Sequence, residues 1–235
     1  MRFVSSTLAL SVLFAVVAVP GKGADIELPG IVVTGHLTKP PDIVSRDRAE
    51  RSPDIHWPPN LSLRWSEMFA HNAIEINAPV ATVWTHLVQA ELWPQWLPKV
   101  GKVKVNGDSH MLEKNTNFTW SGFDLPPEYI RFLTVTRVES RVVEYAPENR
   151  LSWVTYAPNT IYGPLCDSYH TWLLTPAGAK KCRVIFEDIA TGLAALHARG
   201  SYPEVLHLSH QRWLEGLKRI SETGNSKRLT PVSHF

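Results

Sequence analysis

The first long strand, 65–76, ends in alternation, so that Ile74 and Ile76 share one strand face and Glu75 takes the other. After Asn77-Ala78-Pro79 the period changes. Val80, Val83, Trp84, Leu87 and Val88 fall at i, i+3, i+4, i+7 and i+8, the single apolar stripe of a helix laid on a core, with Pro79 suited to its first turn. The run Leu92-Trp93-Pro94-Gln95-Trp96-Leu97-Pro98 ends that helix and puts two tryptophans in a second short one. Near the C-terminus Leu206, His210, Trp213, Leu214, Leu217 and Ile220 form one stripe of a long helix over 203–223, opened by Pro203 and closed by Gly224.

Between these helices the pattern is that of strands. Lys102–Val105, Asn117–Gly122 and Tyr129–Ser140 are followed by Arg141–Tyr145 after a turn or bulge, then by Leu151–Tyr156. Ser168–Thr175 and Cys182–Asp188 form the last hairpin, and 191–200 is a connector with some helical character. The expected class is α+β. A curved antiparallel sheet of six or seven strands grips the long C-terminal helix, two short helices follow the first strand, and a cavity lies between helix and sheet.

The strand, Ala-Pro corner, short helix and Trp-rich turn of 74–98 resemble the opening of the START-like (SRPBCC, helix-grip, birch-pollen-allergen-like) superfamily, in its polyketide cyclase/dehydrase branch. Glu144–Trp153 looks like that branch's Pro, Arg-Leu-x-Trp corner, and 170–176 with 183–187 look like its last hairpin. The resemblance covers 66–223. It implies a domain that positions a hydrophobic molecule and promotes cyclisation, dehydration or a related lyase step without a cofactor.

The ends differ from this core. Arg2 and the mostly apolar run Phe3–Val19 read as a secretory signal ending near residue 24, which makes the protein exported, periplasmic or secreted. Residues 25–61 carry Pro29, Pro40, Pro41, Pro53, Pro58 and Pro59 and mixed charges, the composition of an extended tether that packs little. Within it Ile31-Val32-Val33-Thr34-Gly35 resembles a short segment near the start of TonB-dependent receptors, a hint of envelope protein contact through 25–60. The ligand-cavity domain is then 62–224, and 225–235 is a tail. No further span is expected in the mature chain.

Composition narrows the function. The 235 residues are 44% hydrophobic with 24 basic and 22 acidic side chains, and two of the basic ones, Arg2 and Lys22, lie in the signal. That balance gives no electrostatic case for nucleic acid. The nine tryptophans invite either core packing or an aromatic-lined site. Trp120, Trp153, Trp172, Phe186 and Trp213 are the candidate ligand contacts. Pairing Trp172 with Val184 puts His170, Trp172, Leu174, Cys182, Val184, Phe186 and Asp188 on one face. Asp188 can then orient His170 as general base or acid. His210 on the facing helix stripe, or Tyr156, can stabilise charge. The alternative for His170 and Asp188 is a structural pair, and for His210 a core histidine.

His207 and His210 have i, i+3 spacing but lack a matching third ligand, so no metal is expected. On the same pairing Cys182 faces Leu174, about 26 Å along the strand from Cys166 at 3.3 Å per residue. A disulfide requires Cα atoms within about 7 Å, so independent thiols are favoured over a bridge through a bent loop. The function readings are an exported, cofactor-independent enzyme acting on a small hydrophobic or aromatic molecule, a carrier for such a molecule, and an envelope interaction module.

Overall fold

The computed structural model describes residues 26–28, 31–33, 42–97, 99–121, 137–157, 159–160 and 163–224. The chain forms two units, Met1–Gly35 and His36–Phe235. In the first, β1 (Ile26–Leu28) pairs antiparallel with β2 (Ile31–Val33). The expected signal segment and tail lie outside the described residues.

In the second unit α1 (Asp42–Glu50) precedes β3 (Met68–Ile76), which is followed by α2 (Val80–Val88), a 3-10 turn at Ala90–Leu92, and α3 (Trp93–Trp96). Then come β4 (Lys104–Val105), β5 (Asn117–Trp120), β6 (Val138–Ala146) and β7 (Arg150–Tyr156). The short pair β8 (Asn159–Thr160) and β9 (Gly163–Pro164) leads to the long hairpin β10 (Asp167–Gly178) and β11 (Lys181–Thr191). Last are α4 (Leu193–Ser201) and α5 (Val205–Thr223). Seven strands form one antiparallel sheet in the order β3-β11-β10-β7-β6-β5-β4. This is the α+β helix-grip arrangement. The strand expected over 129–136 lies outside the described residues.

The predicted apolar stripe of α2 is buried at all five positions. Pro79 sits one residue earlier than the first turn. Its ψ of 148° makes it the N-cap residue, and its carbonyl accepts from the amides of Thr82 and Val83. The long helix begins at Val205 rather than Pro203, because Pro203 and Glu204 belong to a turn in which the Val205 amide donates to Tyr202. It ends as expected at Gly224, which is left-handed (φ 63°) and returns its amide to Ile220. Gly216 lets α5 lie against α3, since a Cβ there would stand 2.9 Å from the Trp96 carbonyl oxygen. The same carbonyl accepts from Arg219 Nη2 at 3.0 Å.

The β10–β11 register differs by two residues from the expected pairing. Trp172 faces Phe186, His170 faces Asp188, and Cys182 faces Pro176. A bulge at Pro176–Gly178 displaces the turn, with Gly178 at φ 136°. A shift of two preserves which side chains share a face, so the expected helix-facing set stands. Cys166 and Cys182 are free thiols.

The expectation that 25–60 packs little is corrected over 47–57. Asp47 and Ile55 are buried, and Trp57 lies on Phe69 and Tyr169 with ring centroids 6.1 and 5.7 Å apart. Polar contacts hold the rest. The Ser52 amide donates to Glu187 at 2.5 Å, the Tyr169 hydroxyl to the His56 carbonyl at 3.1 Å, and Arg150 to the Asp54 carbonyl. Proline content marked this stretch as extended. It did not reveal that the convex face of the sheet carries a row of partners across five strands: Glu144, Ser152, Thr171, Glu187 and His71.

Candidate functional site

The helix-facing side of the sheet is filled by aromatic rings. Trp172 stacks on Phe186 at 3.8 Å, Trp93 meets Trp213 at 5.0 Å, and Trp153 lies 5.6 Å from Trp93. Trp93, Trp153, Trp172 and Phe186 are at most 1% exposed. Among the described residues, rings of this size take up much of the space between the sheet and α5. Trp153, Trp172 and Phe186 are thus the floor of the site rather than open contact surface. The His170 side chain keeps 12% exposure beside Trp120.

His170 on β10 and Asp188 on β11 are directly opposed and point toward α5. His170 Nδ1 lies 2.6 Å from Asp188 Oδ2. His210, buried in the α5 stripe, brings its Nε2 to 3.1 Å from the same oxygen. The sequence-expected trio therefore meets on a single carboxylate oxygen. His170 stacks on Trp153 at 5.2 Å, with the Trp120 ring at 6.1 Å, and His210 stacks on Phe186 at 3.9 Å. Trp120 is held in turn. Its indole N–H donates to Ser140 Oγ at 2.9 Å, and that hydroxyl is 2.8 Å from Thr155 Oγ1.

Burial would push the Asp188 carboxyl up, but charge and hydrogen bonds from His170 and His210 outweigh it and hold the group below the usual carboxylate range. Burial holds His210 below the ordinary imidazole value, partly offset by Asp188. An ionised Asp188 accepts, so Nδ1 of His170 and Nε2 of His210 carry the donated protons. That fixes both tautomers. His170 Nε2, His210 Nδ1 and Asp188 Oδ1 are buried without a hydrogen-bond partner.

Tyr156 is corrected. Along β7 Leu151, Trp153 and Thr155 face the helix, so Tyr156 points to the convex side, where it is 48% exposed. There it lines a groove of about 510 Å³ with Trp57, Arg141, Val143 and Tyr169. It stabilises no charge at the His170 site. The i, i+3 histidines also separate. His207 turns from His210 to Asp47, 2.9 Å away, and its Nε2 is 3.2 Å from Asn72 Nδ2. Asp47 and Asn72 were missed as neighbours of the site. Asn72 was accessible in principle, as the polar member of the apolar face of β3.

His170, Asp188 and His210 are also the one group among the described residues with the composition and proximity of a metal site. A tetrahedral ion with bonds of about 2.0–2.1 Å holds its ligand atoms about 3.3 Å apart. The 2.6 and 3.1 Å contacts instead have the lengths of shared protons. Metal-bound imidazoles usually donate their second N–H to a partner, whereas here the outer nitrogens have none. The donor set as arranged suits proton transfer. The cysteines add nothing to it, since burial pushes both thiols up to about 11.

Comparison with known proteins agrees with this architecture. A crystal structure of a hypothetical protein from Helicobacter pylori superposes with a TM-score of 0.61 at 22% identity, over 73% of this chain and 98% of that one. The Zhui aromatase/cyclase from Streptomyces sp. R1128 gives 0.49 at 11% identity over 66% and 93%. Norcoclaurine synthase from Thalictrum flavum gives 0.48 at 13% over 65% and 91%. Among curated proteins no sequence matches significantly. The profile of the polyketide cyclase / dehydrase and lipid transport family matches residues 70–222, nearly the whole sheet and the gripped helix, and the chain belongs to that family.

Proposed function

We propose that this protein binds a small hydrophobic or aromatic molecule at the His170 end of its aromatic core and transforms it by cofactor-independent acid/base chemistry, with His170 as the proton-transfer group. The observation that carries this reading is the state of His170. Its Nδ1 is fixed by Asp188 at 2.6 Å, while Nε2 is buried and unpartnered on a side chain that keeps 12% exposure. Nε2 takes a proton from a carbon or hydroxyl of the bound molecule. Asp188 stabilises the imidazolium that results, and the same proton returns to a departing hydroxyl, which leaves as water. A positioned base of this kind contributes about 10²–10⁴-fold. His210 donates to Asp188 and holds its carboxylate toward His170. Trp120 and Trp213 supply the ring faces against which a planar molecule lies.

Carriage of a whole ligand inside the domain is the less supported reading, because rings occupy the interior beneath His170. Export belongs to the proposal and is supported by the N-terminal pattern of residues 1–24. Among the described residues no helix is long and apolar enough to cross a membrane. The proposed contact with an envelope protein falls to the paired strands Ile26–Leu28 and Ile31–Val33, since 47–57 is committed to the sheet.

The test is hydrogen–deuterium exchange at the acidic CH₂ of 2-tetralone in D₂O, followed by NMR. The wild-type protein should accelerate exchange, and His170→Gln should lose about 10²–10⁴ of that acceleration. Binding, read from tryptophan fluorescence, should change little. Equal acceleration by wild type and variant would remove His170 from the mechanism.

A further inference from the structure

We infer that residues 47–52 form a strap that positions the His170–Asp188–His210 cluster, by gripping the two elements that carry Asp188 and His210. The first grip is on α5. The Asp47 carboxylate, 2% exposed, lies 2.9 and 3.0 Å from His207 Nδ1. Asn72 Nδ2 faces the other nitrogen of that ring at 3.2 Å and donates to the His207 carbonyl at 3.2 Å. His207 is one helical turn from His210, so a residue held at both ring nitrogens and at its carbonyl sets the axial position and rotation of the turn that delivers His210.

The second grip is on β11. Glu187 Oε1 accepts from the Ser52 amide at 2.5 Å and faces His71 Nδ1 at 2.6 Å. Glu187 and Asp188 are consecutive and point to opposite faces of the sheet. Holding one carboxylate from behind therefore fixes the peptide that aims the other at His170. A contact of 3.1 Å between a helix and a strand needs this. Hydrogen bonds weaken steeply once the pair opens by a few tenths of an ångström.

A cover for the edge strand β3 would need only bulk or apolar surface. These contacts instead aim a buried carboxylate, Asp47, and a backbone amide, that of Ser52, at the neighbours of the site. Buried polar pairs add little net stability over apolar packing, so their use here is positional. The inference rests on the proposed role of the cluster only for its catalytic consequence.

The experiment uses the full chain with ¹⁵N-labelled histidine and needs no substrate. It reads the downfield His210 Nε2–H and His170 Nδ1–H signals. Asp47→Ala should shift the His210 proton and speed its exchange with water about tenfold, as expected when a charge-assisted hydrogen bond loosens. Asp47→Asn keeps an acceptor for His207 and should restore the wild-type signal. Trp57→Ala, which strips apolar packing from the same segment, should lower Tm and leave both signals in place. If Asp47→Ala does not fold, Asp47→Ser, which leaves a smaller void, is read in the same way. Unchanged signals in the Asp47 variant, or an equal change in Trp57→Ala, would overturn the strap. A failed tetralone assay with the Asp47 effect intact would instead remove the catalytic reading and leave the strap standing.

Discussion

Asp188 Oδ2 serves two imidazoles at once, and this has a consequence for stability against pH. His210 is held below its ordinary value of 6.5 by burial. Below about that pH the unfolded chain binds a proton at this site that the folded chain does not, so stability falls as pH drops through 6.5 toward the folded value. The slope from one such group is at most about 1.4 kcal/mol per pH unit. Asp188 is depressed below its ordinary 3.8 and adds stability that is present above that value and lost as pH falls through the folded one. Urea unfolding at pH 7.5, 6.5 and 5 should therefore show a steady decline. His210→Phe keeps a ring against Phe186 and removes the titrating group, so its decline between 6.5 and 5 should be shallower. An equal decline in wild type and variant would place the acid sensitivity elsewhere.

At the level of elements, the segment before β3 is where sequence and structure part. Its prolines announce an extended chain. Its docking depends on Glu187 and Tyr169, which lie more than a hundred residues away in sequence, and no local period encodes such partners. Limited proteolysis should accordingly leave a stable fragment that begins before residue 42. Cleavage within 47–57 to a core starting near residue 60 would contradict the observed packing. Local patterns were more informative elsewhere. The α2 stripe, the α5 stripe and the faces of β10 and β11 all follow from periods of 3.6 and 2. Strand parity brought His170 and Asp188 to one face even though the expected register was two residues off. The meeting of His210 with them followed from helix period plus the gripping topology. The same parity, applied to β7 from Trp153, places Tyr156 on the far face. The arrangement of the rings was not legible, because composition supplies tryptophans without saying whether they line a space or fill it.

For the molecule as a whole, family membership and the helix-grip fold supply a scaffold on which many sites can be built. Among the described residues, the helix-facing core of this chain is packed indoles with the Asp188 carboxylate and the His170 and His210 imidazoles set into it. Burial there strengthens the His170–Asp188 interaction and leaves two imidazole nitrogens, His170 Nε2 and His210 Nδ1, without a partner, His170 being the more exposed of the two side chains. The account depends on His170 Nε2 carrying a lone pair while Nδ1 carries the proton toward Asp188. The direct measurement is the ¹⁵N chemical shift pair of His170 in the full-length protein at pH 7.5, assigned by loss of the signals in His170→Gln. The account predicts a protonated Nδ1 and an unprotonated Nε2, with Asp188→Asn abolishing the preference. A protonated Nε2 with a bare Nδ1, or a tautomer that Asp188→Asn leaves unchanged, would contradict it.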